Sequence, residues 1–446
     1  MQSAALFTDL YELTMMQAYF EEKLHEIAVF DLHFRKLPQD RNFLIACGLD
    51  QVLTYLETLS FSREDLDYLE SLNLFTSEFL RYLEGFRFGG SIRAMPEGSL
   101  VFPYEPLVEV KAPILQAQLV ETFVLNQISF QTMIASKGAR VVMAAGGRNL
   151  VDFGSRRAHG TDAGLKAARA LYIVGYNSTS NVEAGRLFGI PVAGTMAHSY
   201  VQAHDTEIEA FRAFLRSYPD TILLVDTYDT ELGVRNVIHL GQETPDFRVR
   251  AVRLDSGDLG ALAKQTRRML DDAGLGRVGI FAGSGLDEYE IDRLVHEEAP
   301  IDGFGPGTNV VVSSDEPKLD IAYKLVSFAG VGRLKLSPGK AILPGPKQVF
   351  RRYTAGVASG DNVALADESD EGEPMLVEVM AEGKRTSAGR ASLDQARDRA
   401  KHALDSLPEP LRSLKPAESP YPVELTLRLK RETERLGSLL AAREQA

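Results

Sequence analysis

The sequence predicts an α/β protein: an irregular (β/α) barrel together with a second α+β domain built from the N- and C-terminal segments. Three observations predict it. Short β-rich runs, each ending in a Gly/Asp/Ser/Arg cluster and followed by a helical stretch, recur from about residue 149 to 309. Taking Asp226, Asp255, Gly283 and Gly305 as strand tips, the intervals are 29, 28 and 22 residues, the length of a βα unit. Polar residues suited to chemistry end nearly every run instead of gathering at one switch point, which favours a barrel over a doubly wound sheet.

Before the barrel, residues 8–20 have Leu10, Leu13, Met16 and Phe20 at helical spacing, opening at Thr8 or Asp9. Apolar-alternating runs ("AVFDLHFRKL", "PLVEVKAPI") and Leu-rich helical stretches fill 28–114. From about 115 one long helical pattern leads into the second unit. The βα runs are "NLVDFGSRR", "GIPVAGTMAH", "TILLVDTYD", "VRAVRLDSGD", "RVGIFAGSG" and "PIDGFGPGTN". Past 330 the rhythm gives way to turns and short strands, with an acidic loop at 367–373 and a Leu-spaced helix over 423–443. The expected division is therefore 1–114, 115–329 for the barrel, and 330–446 packing with the N-terminal part. A chain of 446 residues exceeds what one core usually fills, which agrees with two units.

A net charge of −13 argues against a nucleic-acid or anionic-membrane partner, though not against a phosphorylated small molecule held in a local basic pocket. The single cysteine, Cys47, can make no internal disulfide, which points to a reducing cytoplasm. No signal peptide and no uncharged run of transmembrane length is evident.

The chemistry is expected at the strand tips. "RLDSGD" places Arg253, Asp255, Ser256, Gly257 and Asp258 together: the acids suit sugar hydroxyls or Mg²⁺, and the arginine suits a carboxylate or phosphate. The competing explanation is a helix cap formed by Asp255 or Ser256. "AGSGLDE" (Gly283, Ser284) and "GFGPGTN" (Gly305, Gly307, Thr308) each follow a strand and precede a helix, as phosphate-cradling turns do, or as plain tight connections do. Neither is a dinucleotide fingerprint. Phe153 beside Arg156 and Arg157 would hold a planar anion, or be a packed ring with two surface arginines. His198 and His204, six apart, lie on different helix faces, so zinc is excluded. His198, just beyond "IPVAGT", is a candidate base or nucleophile that a carboxylate such as Asp226 would orient, or an ordinary structural histidine.

Several of these stretches resemble the nicotinate phosphoribosyltransferase family: "FTDLYELTMMQAY", "FDLHFRKLP", "FGSRRAHG", "YNSTSNVEAGRLFGIPVAGTMAHSYVQAH", "RLDSGDL", "FGPGTNVV", "LDIAYKLV" and, more weakly, "YPVELT". The resemblance implies condensation of nicotinate with phosphoribosyl pyrophosphate, coupled to ATP hydrolysis through a phosphohistidine, with Mg²⁺. It also implies a type II phosphoribosyltransferase barrel and a homodimer with shared active sites. His198 would be the phosphorylated residue and Asp226 its orienting acid. Phe153 and the partner subunit's Tyr11 would sandwich the pyridine ring. Arg156 and Arg253 would line the nicotinate and pyrophosphate region, and Asp255 would hold ribose hydroxyls. Gly283, Ser284, Gly305, Gly307 and Thr308 would cradle the 5′-phosphate. Ser180 stands where the nicotinamide-using relatives carry an Asp, which favours the acid as substrate. Rival expectations are a quinolinate- or nicotinamide-using enzyme, a catalytically silent sensor on the same barrel, and a carbohydrate-active barrel.

Overall fold

The computed structural model describes residues 4–335 and 342–444, and it separates into two compact units. One comprises the chain up to Ser136 and again from Lys318; the other is Lys137–Pro317. The division falls inside the helix Glu121–Ala144, whereas the texture of the sequence changes near 115.

The first unit is built around a seven-stranded sheet in which Ile27–Phe34, third in the order, pairs antiparallel with both the central strand Val108–Pro113 and Ile321–Phe328. Alternation in "AVFDLHF" suggests one solvated face, yet seven of the eight strand residues are buried. The polar positions survive burial because they are paired: Asp31 lies 2.8 Å from the Lys347 ammonium. Burial together with nearby cations pushes the His33 imidazole down to about 4.

The helix expected over 8–20 runs Leu10–Glu21. Its inner stripe is Leu13, Met16 and the buried Glu12, while Leu10 is half exposed. Glu12 is retained there by hydrogen bonds from the Thr8 hydroxyl and from the Thr122 N–H and hydroxyl. The long pattern from 115 is two helices, Ile114–Leu119 and Glu121–Ala144, interrupted at Val120. A hairpin of Lys347–Thr354 and Val357–Leu365 follows later in the chain. The helix expected over 423–443 starts only at Leu427. Val423–Leu425 is instead a strand beside Val357–Leu365, and the Thr426 hydroxyl accepts from the Leu429 N–H where the helix begins. The "SPGKA" portion of the turn-rich stretch lies outside the described residues. Among the described residues no helix is long and apolar enough to cross a membrane.

The second unit holds the barrel. Six strands, all parallel, lie in the order Ser178–Thr179, Asn149–Asp152, Gly303–Phe304, Gly279–Ala282, Ala251–Leu254, Ile222–Leu224, and the sheet curls. Residues 191–195 stand between its two edges. Val192 bridges Thr179 in parallel, and the Thr195 hydroxyl donates to the Ile222 carbonyl at 2.7 Å. One side of the ring is thus completed by a side chain instead of a ladder, which is why the barrel is irregular. Each strand is only two to four residues long, so the segments beyond the carboxyl ends are brought close together.

Candidate active site

Every strand of the second unit delivers at least one candidate residue at its carboxyl end, the end where parallel barrels carry their chemistry. Asp255 follows Ala251–Leu254 directly. Its carboxylate accepts from Arg253 at 2.6 Å, and its N–H donates to Asp226 at 2.8 Å. The Ser256 hydroxyl also donates to Asp226, at 2.6 Å. The helix-cap explanation fails for Asp255 and Ser256, because Asp258 is the residue that accepts from the Ala261 N–H and opens Leu259–Asp272. Gly257, at a φ of 78°, makes the turn between them.

His198 is the first residue of the short helix His198–Gln202, with a side chain 42% exposed. Its Nδ1 lies 3.2 Å from the Thr227 hydroxyl, and its Nε2 lies 3.9 Å from the Asp255 carboxylate. The expected partnership with Asp226 is therefore replaced: Asp226 is engaged by the backbone and side chain of the "LDSGD" turn, and the neighbouring Thr227 addresses the imidazole. The Thr227 hydroxyl thus addresses one ring nitrogen while the other faces the Asp255 carboxylate. Sequence reasoning missed Thr227; its only signal was adjacency to Asp226 at the end of "TILLVDTYD". Thr227→Val is expected to lower kcat about tenfold, the worth of one hydrogen bond. An unchanged kcat in steady-state assays would refute that role. His204 lies just past that helix, and its Nδ1 turns back to the Tyr200 carbonyl at 2.9 Å.

Phe153 follows Asn149–Asp152 and packs against Phe281, with ring centroids 5.9 Å apart. The guanidinium over its face is that of Arg253, 5.2 Å from the ring centroid. Arg156, in the short turn Ser155–Arg157, is exposed. Arg253 thus stacks on an aromatic ring while pairing with a carboxylate, which sets its orientation more tightly than either contact alone. Asp152 is a second residue missed from sequence. Buried, with its carboxyl pushed above the usual range by desolvation, it accepts from the Gly154 N–H at 2.8 Å and the Thr179 hydroxyl at 2.7 Å. Its carbonyl accepts from the Ser180 N–H. The Asn181 amide reaches the Ser155 hydroxyl at 3.1 Å, so the "FGSRR" and "NSTSN" turns are joined, with Ser180 half-buried between them.

The two glycine-rich turns lie on adjacent strands, with the Gly305 N–H donating to the Ala282 carbonyl. A Cβ at Gly283 would strike the Asp255 carboxylate, and one at Gly305 would strike the Phe153 and Phe281 rings, so only glycine allows this approach. Ser284 has a φ of 58° and Gly285 one of 64°. Gly307 and the exposed Thr308 open the short helix Thr308–Val311. The Asn309 amide donates to the Gly285 carbonyl at 3.0 Å, tying the second turn to the first. Tyr11, in the other unit, is 47% exposed near the start of Leu10–Glu21. Burial of its ring edge and the acids Glu121, Glu12 and Asp9 raise its hydroxyl pKa.

The acids, the imidazole, the stacked arginine and the two glycine-rich turns thus gather at the carboxyl ends of the strands, and comparisons with known proteins show the family of the chain. A family model described as the nicotinate phosphoribosyltransferase N-terminal domain matches residues 6–129, and the nicotinate phosphoribosyltransferase family model matches residues 148–343. A nicotinate phosphoribosyltransferase of Mycobacterium tuberculosis is 54% identical over 433 residues, covering 97% of this chain and 94% of the relative. That of Bacillus subtilis is 42% identical, covering 82% and 77%. The crystal structure of human nicotinic acid phosphoribosyltransferase superposes with a TM-score of 0.86 at 29% identity, covering 96% of this chain and 99% of that one. The chain belongs to the nicotinate phosphoribosyltransferase family.

Proposed function

We propose that the chain drives its family's reaction, the condensation of nicotinate with phosphoribosyl pyrophosphate to nicotinate mononucleotide and pyrophosphate, by hydrolysing ATP through a phosphohistidine at His198. The product feeds NAD biosynthesis. The observation that carries the coupling is the setting of His198: Thr227 holds one ring nitrogen, and the other faces Asp255.

In the coupling step Nε2 attacks the γ-phosphorus of ATP, the bond to the bridging oxygen breaks, and ADP leaves; water later releases the phosphoryl group as phosphate. In the transfer step the pyridine nitrogen attacks the anomeric carbon as the bond to pyrophosphate breaks. Positive charge develops on the ribose in between, and Asp255, positioned to hold the ribose hydroxyls, stabilises it. Arg253 binds the departing pyrophosphate or the nicotinate carboxylate, and Phe153 carries the pyridine ring. The partner subunit's Tyr11 would cover the ring's other face in a homodimer with shared sites, and its exposure in this chain suits that role. Arg156, also exposed, would reach the same anionic region. Gly283, Ser284, Gly305, Gly307 and Thr308 receive the 5′-phosphate. Ser180, uncharged between the two joined turns, spares the nicotinate carboxylate a repulsive neighbour. A reducing cytoplasm suits the single, buried Cys47.

The residues also fit Mg²⁺. Asp226 has a buried carboxylate oxygen with no hydrogen-bond partner, and Asp255 supplies a second hard oxygen donor nearby. Among the described residues no group of three or more His, Cys, Asp and Glu is placed to hold a metal ion. One or two carboxylates completed by substrate phosphates is the usual holding of this ion. When bound, Mg²⁺ would neutralise the charge gathering on pyrophosphate.

The test is an assay of purified protein with phosphoribosyl pyrophosphate, Mg²⁺ and nicotinate, nicotinamide or quinolinate, each with and without ATP labelled at the γ-phosphate. The expected outcome is product from nicotinate, stimulated by ATP, with acid-labile label on the protein. An ATP-indifferent rate without label would refute the coupling, and product from nicotinamide alone would refute the choice of the acid.

A further inference from the structure

Beneath the two phosphate turns of the second unit lies a buried ionic cluster that the chemistry above does not use. The Lys137 ammonium is 2.6 Å from the Glu288 carboxylate and 2.8 Å from that of Asp315. Arg140, one helical turn further along, places its Nε 2.8 Å from the other Glu288 oxygen, and its Nη2 donates to the Tyr289 hydroxyl at 2.9 Å. The Lys137, Arg140 and Glu288 side chains are at most 2% exposed, and Asp315 is 29% exposed. Burying four charges is not a cheap route to stability; well-packed apolar residues of similar volume usually do as well. What such a cluster supplies is a fixed geometry.

The anchored residues show which geometry it fixes. Glu288 is the first residue of the helix Glu288–His296 and stands three residues past Gly285, the last of the turn carrying Gly283, Ser284 and Gly285. Asp315 lies just past the helix Thr308–Val311, which the turn of Gly305 and Gly307 opens. One ammonium therefore grips the downstream end of both turns, while Asn309 ties them directly through the Gly285 carbonyl. Ser284 needs that restraint, because its left-handed backbone is uphill for a residue with a side chain.

We infer that Lys137 is a positioning residue for substrate binding: by pairing with Glu288 and Asp315 at once, it sets the register of the two glycine-rich turns, so that both present their N–H groups to the same phosphate of phosphoribosyl pyrophosphate. This rests on the reading of those turns as the 5′-phosphate cradle. It predicts an effect confined to the phosphorylated substrate. Nicotinate and the transfer chemistry are served by Phe153, Arg253 and Asp255, which are not members of the cluster.

The experiment compares Lys137→Met, Lys137→Arg, Asp315→Asn and, as a direct probe of the cradle, Thr308→Val in the full-length protein. Each is characterised by KM for both substrates, by kcat and by thermal denaturation. Lys137→Met is expected to raise KM for phosphoribosyl pyrophosphate about tenfold or more, as loss of a charged hydrogen bond would, with KM for nicotinate and kcat little changed. Asp315→Asn should show a smaller rise of the same kind, and Lys137→Arg, which keeps the charge and two donors, should restore most of the affinity. A rise with Thr308→Val but none with Lys137→Met or Asp315→Asn would overturn the role of Lys137. No rise with Thr308→Val would instead overturn the cradle itself. Should Lys137→Met fail to fold, Asp315→Asn decides, since it removes only the partly exposed arm; an unmoved KM for phosphoribosyl pyrophosphate there would overturn the inference.

Discussion

His198→Ala is expected to abolish the ATP dependence of nicotinate mononucleotide formation and all transfer of label from γ-labelled ATP to the protein. One nitrogen of the imidazole lies beside the Thr227 hydroxyl and the other faces the Asp255 carboxylate. Basal, ATP-independent transfer should survive, because the groups that bind ribose, phosphate and pyridine are separate side chains. The expected loss in the ATP-stimulated component is on the order of a hundredfold or more, the scale seen when a covalent step loses its nucleophile. The readout is the ratio of rates with and without ATP at saturating nicotinate. If that ratio is the same in the variant as in the parent chain, His198 is not the phosphorylated residue. His204→Ala provides a control, since that ring packs against Tyr200 and pairs with its carbonyl, away from Thr227 and Asp255.

Asp255→Asn should reduce kcat by roughly 10²–10³, or about 2.7–4 kcal/mol of transition-state stabilisation, if its carboxylate balances the charge that develops on the ribose. The substitution keeps the shape, so the close approach of Gly283 is preserved. What it removes is the negative charge that pairs with Arg253 and faces His198. A loss appearing only in KM, with kcat intact, would mean that Asp255 binds substrate without stabilising the transition state. Arg253 complicates a simpler reading: freed from Asp255 it still stacks on Phe153, so its own contribution is expected to persist in the variant.

Much of this site was legible in the sequence. The spacing of Asp226, Asp255, Gly283 and Gly305 marked the strand tips, and the structure does place each at the carboxyl end of a parallel strand. Strand rhythm and tip chemistry are local properties, recorded within a few residues, and a hydrophobic run followed by polar turn residues reveals them. Helix edges were less secure. Val423–Leu425 follows its neighbour in the sheet, and Leu10 is exposed where a periodic stripe would bury it, because tertiary neighbours override a local pattern.

The pairings inside the site were not legible. Local sequence offered Asp226 to His198 and Arg156 to Phe153; the folded chain brings Thr227 to the histidine and Arg253 to the phenylalanine. Nor did any local signal connect Arg140 with Glu288, 148 residues apart, or show that Lys137 joins the ends of two phosphate turns. The sequence by itself determined the family, the barrel and which residues stand at the strand tips, because those depend on residue type and short spacing. Only the tertiary structure decided which side chain orients which. Partner choice depends on distances of 3 Å between segments far apart in the chain, and spacing along a sequence does not encode them.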